Sequence, residues 1–144
     1  MTALGRKRYV VDASVVLKWF SQAGESELEK ALKLRGDHRD KSIEVYSPEL
    51  LVYEVANVLR FKDAISEELI SQAISSIYDM DIVIPANPRI MAEAVRMARR
   101  HAITVYDSCY LSFSREINGR LITADKKLYL KIQNLSGVIY IADY

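Results

Sequence analysis

Cysteine, histidine, proline and glycine are all scarce in this chain of 144 residues, which has one Cys, two His, three Pro and five Gly. A single thiol, Cys109, closes no internal disulfide and builds no Cys-rich zinc site, and its isolation fits a reducing cytoplasm. Flanked by apolar neighbours, it reads as a small core residue. His38 and His101 stand apart, which argues against a histidine metal centre. No Pro/Gly-rich linker, repeat or low-complexity tract marks a boundary, so one domain spanning 1–144 is expected. No apolar run reaches membrane-spanning length. The basic opening "MTALGRKRYVVDAS" has neither the uninterrupted apolar stretch nor the cleavage site of a signal peptide. A soluble cytoplasmic protein is the expectation. Neither sign of charge dominates: 20 Lys and Arg face 19 Asp and Glu, for a net +1. Whole-molecule attraction to nucleic acid is therefore not expected, while a local basic patch remains open. No P-loop, G-x-G-x-x-G or G-x-S-x-G is present, so Ser108 and Ser112 have no nucleophile-elbow setting.

What is present is a core-forming half: 50% of residues are hydrophobic. Strand-like and helix-like stretches alternate. "RYVVD" (8–12) reads as a buried strand, then "SVVLKWF" as a helix with Ser14 as its cap. A helix over 26–35 is expected to end at Gly36, followed by a strand at 43–47. Pro48 opens a helix through residue 62, and another helix covers 65–80. Strands at 81–85, 120–124 and 137–142 alternate with helices at 88–102, 104–118 and 125–134. Five strands separated by helices predict an α/β domain with a mainly parallel sheet, whose ligands bind beyond the carboxyl ends of the strands.

Four acids stand out against that frame. Asp12 follows "YVV" and Asp125 follows "LITA", so two strands end in a carboxylate on the ligand side; each also precedes a helix and could simply cap it. Glu54 interrupts the apolar stripe Leu50, Leu51, Val55, Val58, Leu59. A carboxylate there must be paired, protonated or bound to a cation, and an arginine partner is one reading. Asn57, three residues on, is a candidate hydrogen-bond partner for it. Asp107 lies near the start of its helix, where the dipole alone favours an anion. If the four converge, their repulsion calls for a hard divalent cation such as Mg²⁺ or Mn²⁺.

The segments "YVVDASVVLKWF", "SPELLVYEVANVLR", "YDSCYLSFS" and "LITADKKLY" together resemble the PIN-domain nucleases, and within them the VapC-like toxins of prokaryotic toxin–antitoxin pairs. The resemblance covers nearly the whole chain, in the family's order. It implies a three-layer α/β/α domain and a Mg²⁺- or Mn²⁺-dependent endoribonuclease. Asp12, Glu54, Asp107 and Asp125 would be the catalytic acids, and Asp12, Asp107 and Asp125 the metal ligands. Ser14 and Thr123 match polar positions that line such a site, with Asn57 as a further supporting residue. Lys126 and Lys127 stand where some relatives carry another acid. The resemblance also implies 5′-phosphate and 3′-hydroxyl products, an antitoxin partner and a homodimer.

RNA must be held by cations. Lys18, Lys126 and Arg99 are the candidates, the last from a helix that also carries Arg89, Arg96 and Arg100 against Glu93. Tyr53, Tyr106 and Trp19 suit base stacking, although core packing is the expectation for each. Leu59, Phe61, Ile65, Leu69 and Tyr78 are candidates for a subunit interface or for core. Two rival readings stand beside the nuclease: a phosphatase with Asp12 as nucleophile, and a catalytically idle interaction module.

Overall fold

The structure, a computed structural model, describes residues 5–22 and 26–144. The first four residues of the basic N-terminal stretch therefore lie outside the described residues. Short apolar runs form five strands: β1 (Lys7–Val11), β2 (Ile43–Pro48), β3 (Val83–Ile84), β4 (Arg120–Thr123) and β5 (Val138–Tyr140). Between them lie α1 (Ala13–Phe20), α2 (Leu28–Arg39), α3 (Leu50–Leu59), α4 (Glu67–Asp79), α5 (Pro88–His101), α6 (Val105–Glu116) and α7 (Lys126–Ile132).

The sheet is entirely parallel, in the order β3-β2-β1-β4-β5. The chain runs outward from β1 to β3, crosses back to β4 on the other side of β1, and continues to β5. Right-handed crossovers place α1 to α4 on one face and α5 to α7 on the other, giving the expected three layers. The direction of travel reverses between β1 and β4. Their carboxyl ends therefore flank the topological switch point, where parallel sheets open a crevice. Val10 and Val11 of β1 are fully buried, as a central strand covered on both faces requires.

Hydrogen bonds lock the layers. Ser47 Oγ donates to the Val11 carbonyl at 2.8 Å, tying β2 to β1. Trp19 Nε1 donates to Ala31 O at 2.8 Å, joining α1 to α2. On the opposite face Ser108 and Ser112 of α6 donate to the Ala94 and Ile90 carbonyls of α5, at 2.6 and 2.8 Å. These small side chains let the two helices approach closely. Cys109 is buried between the same helices, as its apolar context predicted. At the entry to β4, a Cβ on Gly119 would lie 2.7 Å from the Arg8 carbonyl, so only glycine fits. The left-handed turn before it is taken by Asn118, at φ 54°.

Several boundaries differ from expectation. Ser14 does not cap α1. Asp12 does, through Val15 N–H, and Ser14 lies inside the first turn. Gly36 does not end α2, which runs to Arg39. A mid-helix glycine costs only about 1 kcal/mol, and buried Ala31 and Leu34 hold the helix on the core. Pro48 closes β2 rather than opening α3. Val58, assigned to the inward stripe of α3, faces outward; Leu51, Val52, Val55 and Leu59 are the buried positions. Phe61, Leu69 and Tyr78 are exposed and Ile65 is half-buried, whereas Leu59 is core. No helix among the described residues is long and apolar enough to cross a membrane.

Candidate active site

Asp12 sits immediately after β1 and is buried. Its carboxylate is gripped by two hydroxyls: Ser14 Oγ donates to Oδ1 and Thr123 Oγ1 to Oδ2, each at 2.5 Å. Both hydroxyls accept in turn from backbone, Ser14 Oγ from Ala124 N–H at 2.8 Å and Thr123 Oγ1 from Asp125 N–H at 3.1 Å. The carboxyl ends of β1 and β4 are thus stitched together through one aspartate. Burial pushes the Asp12 carboxyl up from 3.8 to about 6, against the lowering effect of Ser14, Thr123 and Val15 N–H, with the charge of Asp107 adding to the rise.

Asp125, two residues beyond β4, is exposed, and its Oδ1 caps α7 through Leu128 N–H at 3.1 Å. Asp12 and Asp125 each cap a helix, as one reading of the sequence has it, and Asp125 also lines a cleft at the end of the sheet. Asp107 lies in the first turn of α6, whose cap is Thr104; Thr104 Oγ1 accepts from Asp107 N–H at 3.0 Å. The Asp107 carboxyl is raised by burial and then by the charge of Asp125, with the Thr104 hydrogen bond and Lys131 pulling it down. Glu54 reaches the same region from α3. Burial raises its carboxyl, as does the charge of Asp107, against a hydrogen bond from Tyr110.

Asp107 is thus the hub, close enough to perturb Asp12 and Glu54 and to be perturbed by Asp125. Four elements distant in sequence bring acids to one end of one sheet. Beside Asp107 and Asp125 lies a cleft of about 350 Å³, also lined by Thr104, Lys127 and Lys131. A separate cavity of about 730 Å³, lined by residues such as Phe20, His38, Tyr46 and Met80, contains none of the four acids.

The partner of Glu54 is not the arginine that its position suggested. Tyr110 of α6, a buried residue, donates its hydroxyl to Glu54 Oε1 at 2.5 Å. Asn57 does not support Glu54: it is exposed and accepts from Arg60 Nε at 3.0 Å. The charged Arg60 donor, one turn further along, holds the Asn57 side chain at the surface. Lys18 is buried rather than presented to solvent, and its Nζ donates to Ser26 O at 2.6 Å. Lys126 is exposed but lies over the Tyr140 ring, 4.7 Å from its centroid, and it is its neighbour Lys127 that lines the cleft. Arg99 is exposed on α5 and does not line the cleft. Arg89 and Arg96 are engaged by Glu116 and Glu93. Tyr53 and Tyr106, expected in the core, are 68% and 62% exposed; Trp19 is core.

Chemically the site is a set of oxygen donors only. Among the described residues no three or more Asp, Glu, His or Cys side chains stand at ready metal-ligand spacing. Asp12, Glu54 and Asp125 are instead held by hydroxyl and amide donors of the protein. The donor chemistry fits a hard divalent cation, because it contains no softer ligand and its acids repel one another.

A parallel five-stranded sheet with acids at its switch point defines a class of α/β domain, and the chain matches the PIN domain model over residues 9–132, so it belongs to the PIN domain family. It is similar to Ribonuclease VapC3 of Pyrobaculum aerophilum, 27% identical over 135 residues that cover 89% of this chain and 97% of the relative. Its fold resembles the crystal structure of PAE2754 from Pyrobaculum aerophilum, with a TM-score of 0.66, 21% identity, and 95% and 92% of the two chains covered. It also resembles a toxin–antitoxin complex from Klebsiella pneumoniae, with a TM-score of 0.67, 13% identity, and 94% and 99% coverage.

Proposed function

We propose that this protein is a divalent-metal-dependent endoribonuclease, the toxin of a VapBC-type toxin–antitoxin pair, and that it hydrolyses RNA phosphodiester bonds. The observation that carries the reading is that Asp12, Glu54 and Asp125 each stand within electrostatic reach of Asp107. The similarity to a protein named as a ribonuclease over 89% of the chain supports the same activity.

In this reading Asp12, Asp107 and Asp125 hold Mg²⁺ or Mn²⁺. The bound cation supplies Lewis-acid polarisation of the phosphoryl group and a water of lowered pKa. The remaining work falls to the chain. Ser14 and Thr123 keep Asp12 fixed with its charge directed by two short hydrogen bonds. Glu54 orients the attacking water. Lys127 binds a phosphate oxygen at the cleft edge, where RNA enters.

The antitoxin and a second copy of the chain are the proposed partners. Exposed Phe61, Leu69 and Tyr78 around α3 and α4 supply apolar surface for association. The test is RNA cleavage by the purified protein with Mn²⁺, with EDTA, and with Asp107→Asn. Cleavage that requires the metal and is lost in Asp107→Asn is expected. Cleavage that persists unchanged in EDTA or in the variant overturns the assignment.

A further inference from the structure

Glu54 projects from α3, yet what holds it comes from α6. Tyr110 is three residues beyond Asp107, so the two project from one side of α6. The Tyr110 hydroxyl lies 2.5 Å from Glu54 Oε1. The tyrosine is 1% exposed and its ring is part of the core. A buried ring of this kind has little freedom, so its oxygen is a fixed point against which a longer, flexible side chain is set. The Glu54 carboxylate is thereby divided: Oε1 accepts from the tyrosine, and Oε2 takes no part in that bond.

We infer that Tyr110 is a positioning residue for the proposed reaction, acting through Glu54 alone: its hydroxyl fixes the glutamate rotamer so that Oε2 faces the metal or its water. This rests on the nuclease reading for its chemistry but has its own measurement. A group that supports a metal-site carboxylate from behind typically contributes ten-fold to a hundred-fold in metal affinity or turnover. Removing the hydroxyl releases Glu54 to rotate without emptying the core, since phenylalanine keeps the ring.

Tyr110→Phe, Glu54→Gln and the double variant are compared with the wild type by Mn²⁺ calorimetry without RNA, and by kcat and KM on an RNA oligonucleotide. In Tyr110→Phe we expect roughly ten-fold weaker Mn²⁺ binding or a similar fall in kcat, with KM unchanged. We also expect the double variant to equal Glu54→Gln, because the hydroxyl then positions only a neutral amide that cannot do the work of the carboxylate. Wild-type Mn²⁺ binding and kcat in Tyr110→Phe overturn the inference, as does a double variant in which the two losses multiply. Glu54→Asp, which withdraws the carboxylate from Tyr110 by one methylene, must lose at least as much as Tyr110→Phe, and wild-type behaviour there also overturns it. A wild-type protein that binds Mn²⁺ but cleaves no RNA sinks the ribonuclease reading and leaves the calorimetric comparison intact.

Discussion

Thr123 and Asp12 lie 111 positions apart in the chain, and the hydroxyl of the first donates to Oδ2 of the second at 2.5 Å. Both side chains are buried. Thr123→Val keeps the shape and removes the donor, leaving a carboxylate oxygen in the interior with nothing to bond. The expected cost at pH 7 is about 1–3 kcal/mol, read as a shift of the urea midpoint. The cost should shrink as pH falls below about 6, the value to which burial raises the Asp12 carboxyl, because a protonated carboxyl needs the donor less.

Asp12 itself opposes folding at neutral pH. Its raised carboxyl means that the folded state disfavours the charge, so its contribution is greatest below 3.8, declines as pH rises to about 6 and is flat above that. In the presence of EDTA, Asp12→Asn should therefore be more stable than wild type at pH 7.5, by on the order of 2–3 kcal/mol, with the gap closing towards pH 4. Thermal unfolding across that range measures it, and a variant no more stable than wild type at pH 7.5 contradicts the argument.

Lys126 and Lys127 are adjacent in sequence but differently placed, one over Tyr140 and the other on the cleft. Lys127→Ala should raise KM for RNA and reduce the salt dependence of log KM by about 0.7, the value for one lost contact to a single strand. Lys126→Ala should change neither. Equal effects of the two substitutions would remove Lys127 from the substrate path.

Gly119→Ala tests the packing of β4 on β1. The added methyl meets the Arg8 carbonyl at 2.7 Å, a backbone group that cannot swing aside. Overpacking of this kind costs about 1–3 kcal/mol, and chemical denaturation should show it without a change in the slope of the transition.

The strand–helix alternation was readable because the central strands are short apolar runs separated by helix-length segments, although the start signals were misplaced: Asp12 rather than Ser14 caps α1, and Pro48 ends β2. Asp12 and Asp125 were readable for the same reason: a charged residue directly after a buried strand has few places to go. Glu54 showed itself by interrupting an apolar stripe, although the stripe was drawn too wide and took in Val58. Tyr110 escaped notice because a tyrosine in an apolar helix looks like core, and its ring is core; only its oxygen reaches Glu54. The spacing of Tyr110 to Asp107 was the available signal. Asn57 and Lys18 were misjudged because proximity along the chain says nothing about competing partners. Arg60 takes the first, and the Ser26 carbonyl is bonded to the second.

The crevice is assembled from both sides of a reversal in chain direction: Asp12 comes from the first strand, while Thr123 and Asp125 come from the fourth. A ribosome-bound fragment that stops short of β4 lacks the Thr123 hydroxyl that holds Asp12 Oδ2 and lacks the Asp125 carboxylate. In a domain built this way the full set of acids comes into existence only when nearly all of the sequence has emerged and docked.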